Sequence, residues 1–247
     1  RTQAAIAAAR AKGVTVVLAS GRPLEGMTAA LIELGLTGQD DYVICYNGAL
    51  VQQVSEQRII RSQLLTGSDA RAIAHLACEL GVNIHGFSVR QGLISPRVST
   101  YTEHESQLIK MPINLVDFAT LPADEQIMKV MMIDPEPQLS RAIAQLPAEL
   151  YERYTVVRSS PYFLEFMNKR SNKGTGVAAL AEHLGLDASQ VIAVGDAGND
   201  HHMIAYAGLG VAMGNATDEI KALAQHTTGR NDEDGVAQVI ERFILNA

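Results

Sequence analysis

The sequence predicts an α/β fold, a doubly wound parallel sheet interrupted by an inserted α+β unit, and three observations predict it. Apolar, β-branched runs recur at 14–19, 42–46, 191–194 and 209–213, and a run without polar alternation marks a parallel strand buried on both faces. Helical patterns separate these runs at both ends of the chain, the alternation of a sheet covered by helices on two sides. Between 66 and 168 the rhythm changes to shorter strand-like runs, proline-bearing turns and isolated helices. The expected organisation is a Rossmann-like core, 1–65 with 169–247, and an α+β cap domain inserted at 66–168. Insertion at a loop of a rigid sheet suits a cap that covers a site.

Each element has a local reason. Residues 2–12 read as a helix stopped by Gly13. The run 14–19 is a buried strand. Pro23 opens a helix to about Leu34, ended by Gly35. A second buried strand, 42–46, leads into Asn47-Gly48. In the insert, 69–80 is helical, 129–133 and 162–166 are strand-like, and a helix lies near 138–146; Met128, Met131 and Met132 read as its core. Beyond 170, a helix over 173–184 stops at Gly185. The strand 191–194 ends in Gly195-Asp196, followed by a short helix over 199–207 and the strand 209–213. Helices near 217–225 and 234–245 close the chain.

Composition narrows the function. Of 247 residues, 47% are hydrophobic, enough for a real core. The net charge of −7, from 20 basic and 27 acidic residues, excludes a general nucleic-acid binder, which needs a basic face. Trp is absent and aromatics are 5%, so base-stacking platforms are not expected. Cys45 and Cys78 read as reduced, buried thiols. No signal peptide and no apolar run of membrane-spanning length stands out, so the expected location is cytoplasmic, with no membrane partner. Nothing in the sequence indicates an oligomeric state. The chain opens at Arg1 inside a helical pattern, with no cap and no preceding strand, which leads us to expect a segment upstream.

In an open parallel sheet, ligands collect outside the carboxyl ends of the strands, and three segments sit there. Ser20-Gly21-Arg22-Pro23 offers a hydroxyl, a glycine that lets backbone approach an anion, and a helix start; alone, such a segment is usually only a turn and cap. Gly195-Asp196-Ala197-Gly198-Asn199-Asp200 places two carboxylates and an amide on one tight turn. Such oxygens suit a hard cation such as Mg²⁺, although a capping Asp in an Asx turn has the same composition. Asn172-Lys173-Gly174-Thr175-Gly176 puts a lysine at a helix N-terminus, unfavourable by dipole unless an anion compensates; a solvated lysine is the plain alternative. A hydroxyl, an ammonium and a metal-binding carboxylate at one sheet edge supply what phosphoryl transfer needs. By contrast, adjacent His201 and His202 point apart on a helix and do not make a metal pair. Arg22 stays open between contacting substrate and pairing with an acid. No strand is followed by Gly-x-Gly-x-x-Gly, which disfavours a dinucleotide-binding reading.

Those segments, in this order and spacing, resemble the haloacid dehalogenase-like hydrolase superfamily. The resemblance spans nearly the whole chain and is closest to the Cof-type branch, bacterial sugar phosphatases with an α+β cap. It is carried by Val17-Leu18-Ala19-Ser20-Gly21-Arg22-Pro23, Tyr46-Asn47-Gly48-Ala49-Leu50, Asn172-Lys173-Gly174-Thr175-Gly176, Gly195-Asp196-Ala197-Gly198-Asn199-Asp200 and Gly210-Val211-Ala212-Met213-Gly214-Asn215-Ala216. The resemblance implies a Mg²⁺-dependent phosphatase for a small phosphate monoester, with a sugar phosphate as its partner. Catalytic roles fall to Ser20 and Lys173. The phosphate would be held by Ser20, Gly21, Lys173 and Asn199, with Asn47 near the substrate, and the metal site would comprise Asp196 as ligand and Asp200, which orders the metal loop. Specificity would lie in the cap.

One departure matters. The family's nucleophile lies in an Asp-x-Asp motif on a strand before the first helix, where the first Asp forms an aspartyl-phosphate. No such motif precedes the helix here. The expectation is that it lies upstream of Arg1 and that the chain as given, without its central strand, is inactive. The alternatives are a catalytically dead phosphate-binding or regulatory protein of the same fold, and a phosphomutase of the same superfamily.

Overall fold

Helix α1 (Thr2–Ala11) opens the computed structural model, which describes residues 1–246. Its buried stripe of Ala5, Ile6 and Ala9 packs on Ala237 and Ile240 near the other end of the chain. Gly13 turns out of it at φ +85°, in the left-handed region where glycine costs least. The chain divides into two compact units. One comprises Arg1–Ser62 and the chain from Asn172 onward, the other Gln63–Ser171. The join is drawn by two hydrogen bonds inside the second unit, Asn168 Nδ2 to the Leu64 carbonyl (2.9 Å) and Ser171 Oγ to the Gln63 carbonyl (3.0 Å).

In the first unit, β1 covers only Leu18–Ala19, paired in parallel with β2 (Tyr42–Cys45) through Leu18↔Val43 and Ala19↔Ile44. The expected strand over 14–19 is shorter because β2 begins at Tyr42, which leaves the residues before Val17 without a ladder partner. Between β1 and β2, a single turn at Glu25–Met27 leads into α2 (Thr28–Glu33), which buries Leu31 and ends near Gly35 at φ +69°. After β2, Tyr46, Asn47 and Gly48 all take positive φ, and the chain folds back antiparallel as β3 (Leu50–Gln53) and β4 (Ile59–Ser62).

The second unit is an α+β domain. It runs β5 (Leu65–Thr66), α3 (Gly67–Glu79), β6 (Asn83–Ser88), β7 (Gly92–Ser95), α4 (Thr100–Ile109), β8 (Ile113–Leu115), β9 (Gln126–Ile133), α5 (Glu136–Ile143), α6 (Glu149–Arg153), β10 (Tyr154–Ser160) and β11 (Phe163–Asn168). Helix α3 starts at a capping box in which Thr66 and Asp69 satisfy each other's backbone donors. The sheet order is β10-β11-β9-β6-β7-β8, with β5 also on β9. One face buries Ile84, Val130, Met132, Leu164 and Phe166 with Ile73 of α3; each such side chain contributes roughly 1.5–3 kcal/mol. The expected core methionines are buried. Another cross-strand row, His85–Met131–Glu165, carries polar groups, with Lys129 two residues along β9; all are buried.

The first unit then resumes with α7 (Lys173–His183), stopped near Gly185 at φ +69°. It continues through β12 (Ile192–Gly195), α8 (His201–Tyr206), β13 (Leu209–Ala212), α9 (Asp218–Leu223), β14 (His226–Thr227) and α10 (Gly235–Ile240). Strands β12, β13 and β14 form a parallel sheet of their own. The fold is thus α/β with parallel strands, but the core has two sheets where the sequence suggested one. Strands β1 and β12 each have a single partner and lie at sheet edges. Their residues Leu18, Ala19, Ile192 and Val194 are only half-buried, whereas Tyr42–Cys45 is buried throughout. Ala19 packs against the cluster that holds Ala193.

Candidate active site

The site grows from the carboxyl ends of β1, β2 and β12 and the N-terminus of α7, all in the first unit. At the end of β1, Ser20 is fixed by its backbone: its N–H donates to the Ile44 carbonyl and its carbonyl accepts from Asn47 N–H, both at 2.9 Å. Its hydroxyl accepts the Arg22 N–H at 3.1 Å, a local turn that leaves Arg22 exposed. At Gly21 a Cβ would come within 3.1 Å of Asn47 Nδ2, so a larger residue would press on that amide.

Asn47 is buried at φ +54°, a conformation that Asn tolerates better than most side chains. Its Oδ1 accepts a hydrogen bond from Asn199 Nδ2 at 3.0 Å. This bond ties the β2 turn to the loop after β12.

That loop is organised by Asp200. Its Oδ2 accepts the backbone N–H groups of Asp196 (2.9 Å) and Ala197 (3.2 Å), and its Oδ1 receives the Lys173 ammonium at 2.5 Å. Asp200 and Lys173 are both buried, 4% and 7% exposed, so each charge depends on the other. Gly195 is required beneath them, because a Cβ there would stand 2.5 Å from that of Asp200. The anion expected to offset a lysine at a helix start is therefore Asp200.

Lys173 is carried into place by the packing of α7. Asn172 caps the helix, its Oδ1 accepting Thr175 N–H at 2.9 Å. At Gly174 a Cβ would meet the His202 carbonyl at 2.5 Å, and at Gly176 it would meet Ile44 Cγ2 at 2.8 Å. The two glycines let α7 lie close to α8 and β2.

Asp196 differs from Asp200. It is exposed, and its Oδ2 accepts Asn215 Nδ2 at 2.9 Å. Its Oδ1 has no protein donor among the described residues. Among those residues no three His, Cys, Asp or Glu side chains form a metal cage. The donor set at Asp196 still fits a small hard cation, which takes one or two carboxylates and keeps its waters. His201 and His202 stand edge to face with ring centroids 5.3 Å apart, and partial burial followed by the neighbouring ring lowers the His202 pKa.

The structure thus links Gly21, Asn47, Asn199, Asp200, Asp196 and Lys173 in one chain of contacts, with Ser20 joined through its backbone. The sequence does not single out Asn215, which the structure brings to Asp196. Its signal was the segment Gly210 to Ala216, which carried no assigned role.

The sequence profile of haloacid dehalogenase-like hydrolases matches residues 1–240. The chain belongs to this family. Among its relatives, Putative phosphatase YxeH of Bacillus subtilis is 40% identical over 243 residues, covering 98% of this chain and 90% of that protein. Putative phosphatase M6_Spy0533 of Streptococcus pyogenes is 38% identical over 247 residues, with the same shares covered. A haloacid dehalogenase-like hydrolase from Bacteroides thetaiotaomicron, solved by crystallography, superposes with a TM-score of 0.85 at 29% identity, covering 98% of this chain and 91% of that one.

Proposed function

We propose that this haloacid dehalogenase-like hydrolase is a Mg²⁺-dependent phosphatase for a small phosphate monoester, a sugar phosphate in the Cof-type manner. The observation that carries the reading is the buried Lys173–Asp200 pair holding the loop of exposed Asp196, 2.5 Å between charged atoms. Two relatives named as phosphatases support it.

In this reading Ser20 and the Gly21 backbone bind the transferring phosphoryl group, Asn199 contacts it, and Asn47 lines the substrate side. Lys173 neutralises phosphate charge. Asp196 is the metal ligand, and Asp200, its oxygens already engaged, orders the loop. The cation, when bound, neutralises charge on the phosphate oxygens. In this reading the first aspartate of an upstream Asp-x-Asp motif would attack phosphorus, the second would give its proton to the leaving ester oxygen, and the same carboxylate would then take a proton from the water that cleaves the aspartyl-phosphate to free aspartate and inorganic phosphate. The two single-partner edges, β1 and β12, support a further strand docking between them; it would satisfy both ladders and bring the Asp-x-Asp segment to the site. The inserted unit is assigned as the cap, with boundaries near 66 and 168.

A cytoplasmic location fits the two free cysteines, of which Cys45 is buried as expected while Cys78 lies on the exposed side of α3 rather than in the core. Among the described residues no helix is long and apolar enough to cross a membrane.

The test is phosphate release from a panel of sugar phosphates by the full-length protein with and without Mg²⁺. Asp196→Asn is expected to lower kcat roughly 10²–10³-fold, the scale for one preorganised charge-stabilising group, with little change in Tm. Mg²⁺-dependent turnover persisting in Asp196→Asn would sink the assignment.

A further inference from the structure

The loop after β13 touches the Asp196 turn at several points, and Asn215 is its side-chain contact. Met213 N–H donates to the Gly195 carbonyl (2.9 Å) and Thr217 N–H to the Asp196 carbonyl (3.2 Å), so the loop is tied down on both sides of Asn215. Gly214 N–H donates to the Gly229 carbonyl at 3.0 Å. A Cβ on Gly214 would stand 2.9 Å from Arg230 N, so only glycine brings this loop so close to 229–231. The Asn215 amide is engaged at both ends. Its Nδ2 donates to Asp196 Oδ2 and its Oδ1 accepts Asn231 N–H, both at 2.9 Å. Rotating the amide by half a turn would oppose acceptor to acceptor and donor to donor, so its orientation is determined.

The consequence falls on Asp196. One oxygen, Oδ2, is held by a neutral donor; the other, Oδ1, has no protein donor among the described residues. Ca²⁺ accepts bidentate carboxylates in a loose, large shell, whereas Mg²⁺ demands near-octahedral geometry and takes carboxylates through single oxygens. We infer that Asn215 is a positioning residue that keeps Asp196 monodentate and so biases the site towards Mg²⁺ over Ca²⁺. The inference rests on Asp196 being the metal ligand, as proposed above. It adds a residue that never touches the cation yet sets which cation is preferred.

The test is isothermal titration of the full-length protein with MgCl₂ and, separately, CaCl₂. In Asn215→Ala the Kd for Mg²⁺ is expected to rise roughly 10–100-fold, the scale for losing an outer-shell partner of a ligand. The Kd for Ca²⁺ should rise less or fall, so the ratio of the two affinities moves towards Ca²⁺. Asn231→Pro, which removes the N–H that anchors Asn215 while leaving the Asn215 side chain in place, should shift the ratio the same way by a smaller factor, and it serves if Asn215→Ala does not fold. Equal weakening of both cations, or none, overturns the inference while leaving Asp196 as ligand. A wild-type protein that binds neither cation removes the Asp196 reading too, and that failure is visible in the wild-type titration alone.

Discussion

Lys173 Nζ and Asp200 Oδ1 lie 2.5 Å apart with both side chains buried, and this pair joins the start of α7 to the loop after β12. A buried pair is costly to assemble but costlier to break, because removing one partner leaves the other charge desolvated. Asp200→Asn keeps an oxygen for the Asp196 and Ala197 N–H groups but strands Lys173. It should therefore cost about 3–5 kcal/mol. Asp196→Asn, on an exposed carboxylate, should cost under about 1 kcal/mol. The double variant Lys173→Met/Asp200→Asn should recover much of the loss without recovering phosphatase activity. Urea unfolding of the four proteins checks this; equal losses for Asp196→Asn and Asp200→Asn would show that the pair has no special weight.

Which parts of the site could be read beforehand follows from how local their causes are. Ser20, Lys173 and Asp196 announce themselves because each sits in a short turn or cap next to an apolar run or helical pattern. The Lys173–Asp200 bond does not, because 27 residues separate the partners. It depends on Gly174 and Gly176 letting α7 approach α8 and β2. Asn215 was equally hidden: its partner lies 19 residues away, across two parallel strands. The core strands β1, β2, β12 and β13 follow from their apolar runs, and in the insert α3, α5, β9 and β11 follow from pattern, whereas α4, α6 and the other short strands of the insert do not. The shortness of β1 does not either, because it is decided by the register with β2. The hairpin of β2 and β3 turns on three successive residues of positive φ at 46–48, of which only Asn47-Gly48 has a sequence signature.

His85 supplies a pH dependence. It is buried, its Nε2 lies 3.2 Å from Met131 Sδ, and its Nδ1 has no partner among the described residues. Burial first, and the Lys129 charge second, push its pKa down from 6.5 to about 3. The folded protein therefore keeps His85 neutral, while the unfolded chain takes up a proton below pH 6.5. The unfolded state then binds more protons, so stability is fully present above pH 6.5 and is lost as pH falls towards 3. The slope is about 1.4 kcal/mol per pH unit, or roughly 2 kcal/mol between pH 6.5 and 5. Asp69 and Glu125, whose pKa values lie below the ordinary carboxylate range, contribute only at lower pH. His85→Leu should flatten the pH 5–7 dependence of denaturant unfolding. An unchanged slope in that variant would mean that His85 is protonated in the folded protein.

Beside His85 lies a buried ion pair whose matching is incomplete. Lys129 Nζ donates to Glu165 Oε1 at 3.3 Å, longer than the 2.5 Å of Lys173–Asp200, and sits 5.0 Å from the Phe87 ring centroid. Glu165 Oε2 is buried with no protein partner among the described residues. A carboxylate oxygen in that state has surrendered its hydration without return, at about 1–3 kcal/mol or more for a charged group. An apolar pair of similar volume avoids that cost and still fills the face between Phe87 and Met131. Lys129→Met/Glu165→Leu is therefore expected to be neutral or more stable by about 1–4 kcal/mol. Lys129→Met alone should lose about 3–5 kcal/mol, because it leaves Glu165 charged, buried and unpaired. Thermal unfolding of the two variants separates the cases. If the double variant is as unstable as the single one, the pair is better matched than a 3.3 Å contact implies, and ordered water satisfies Glu165 Oε2.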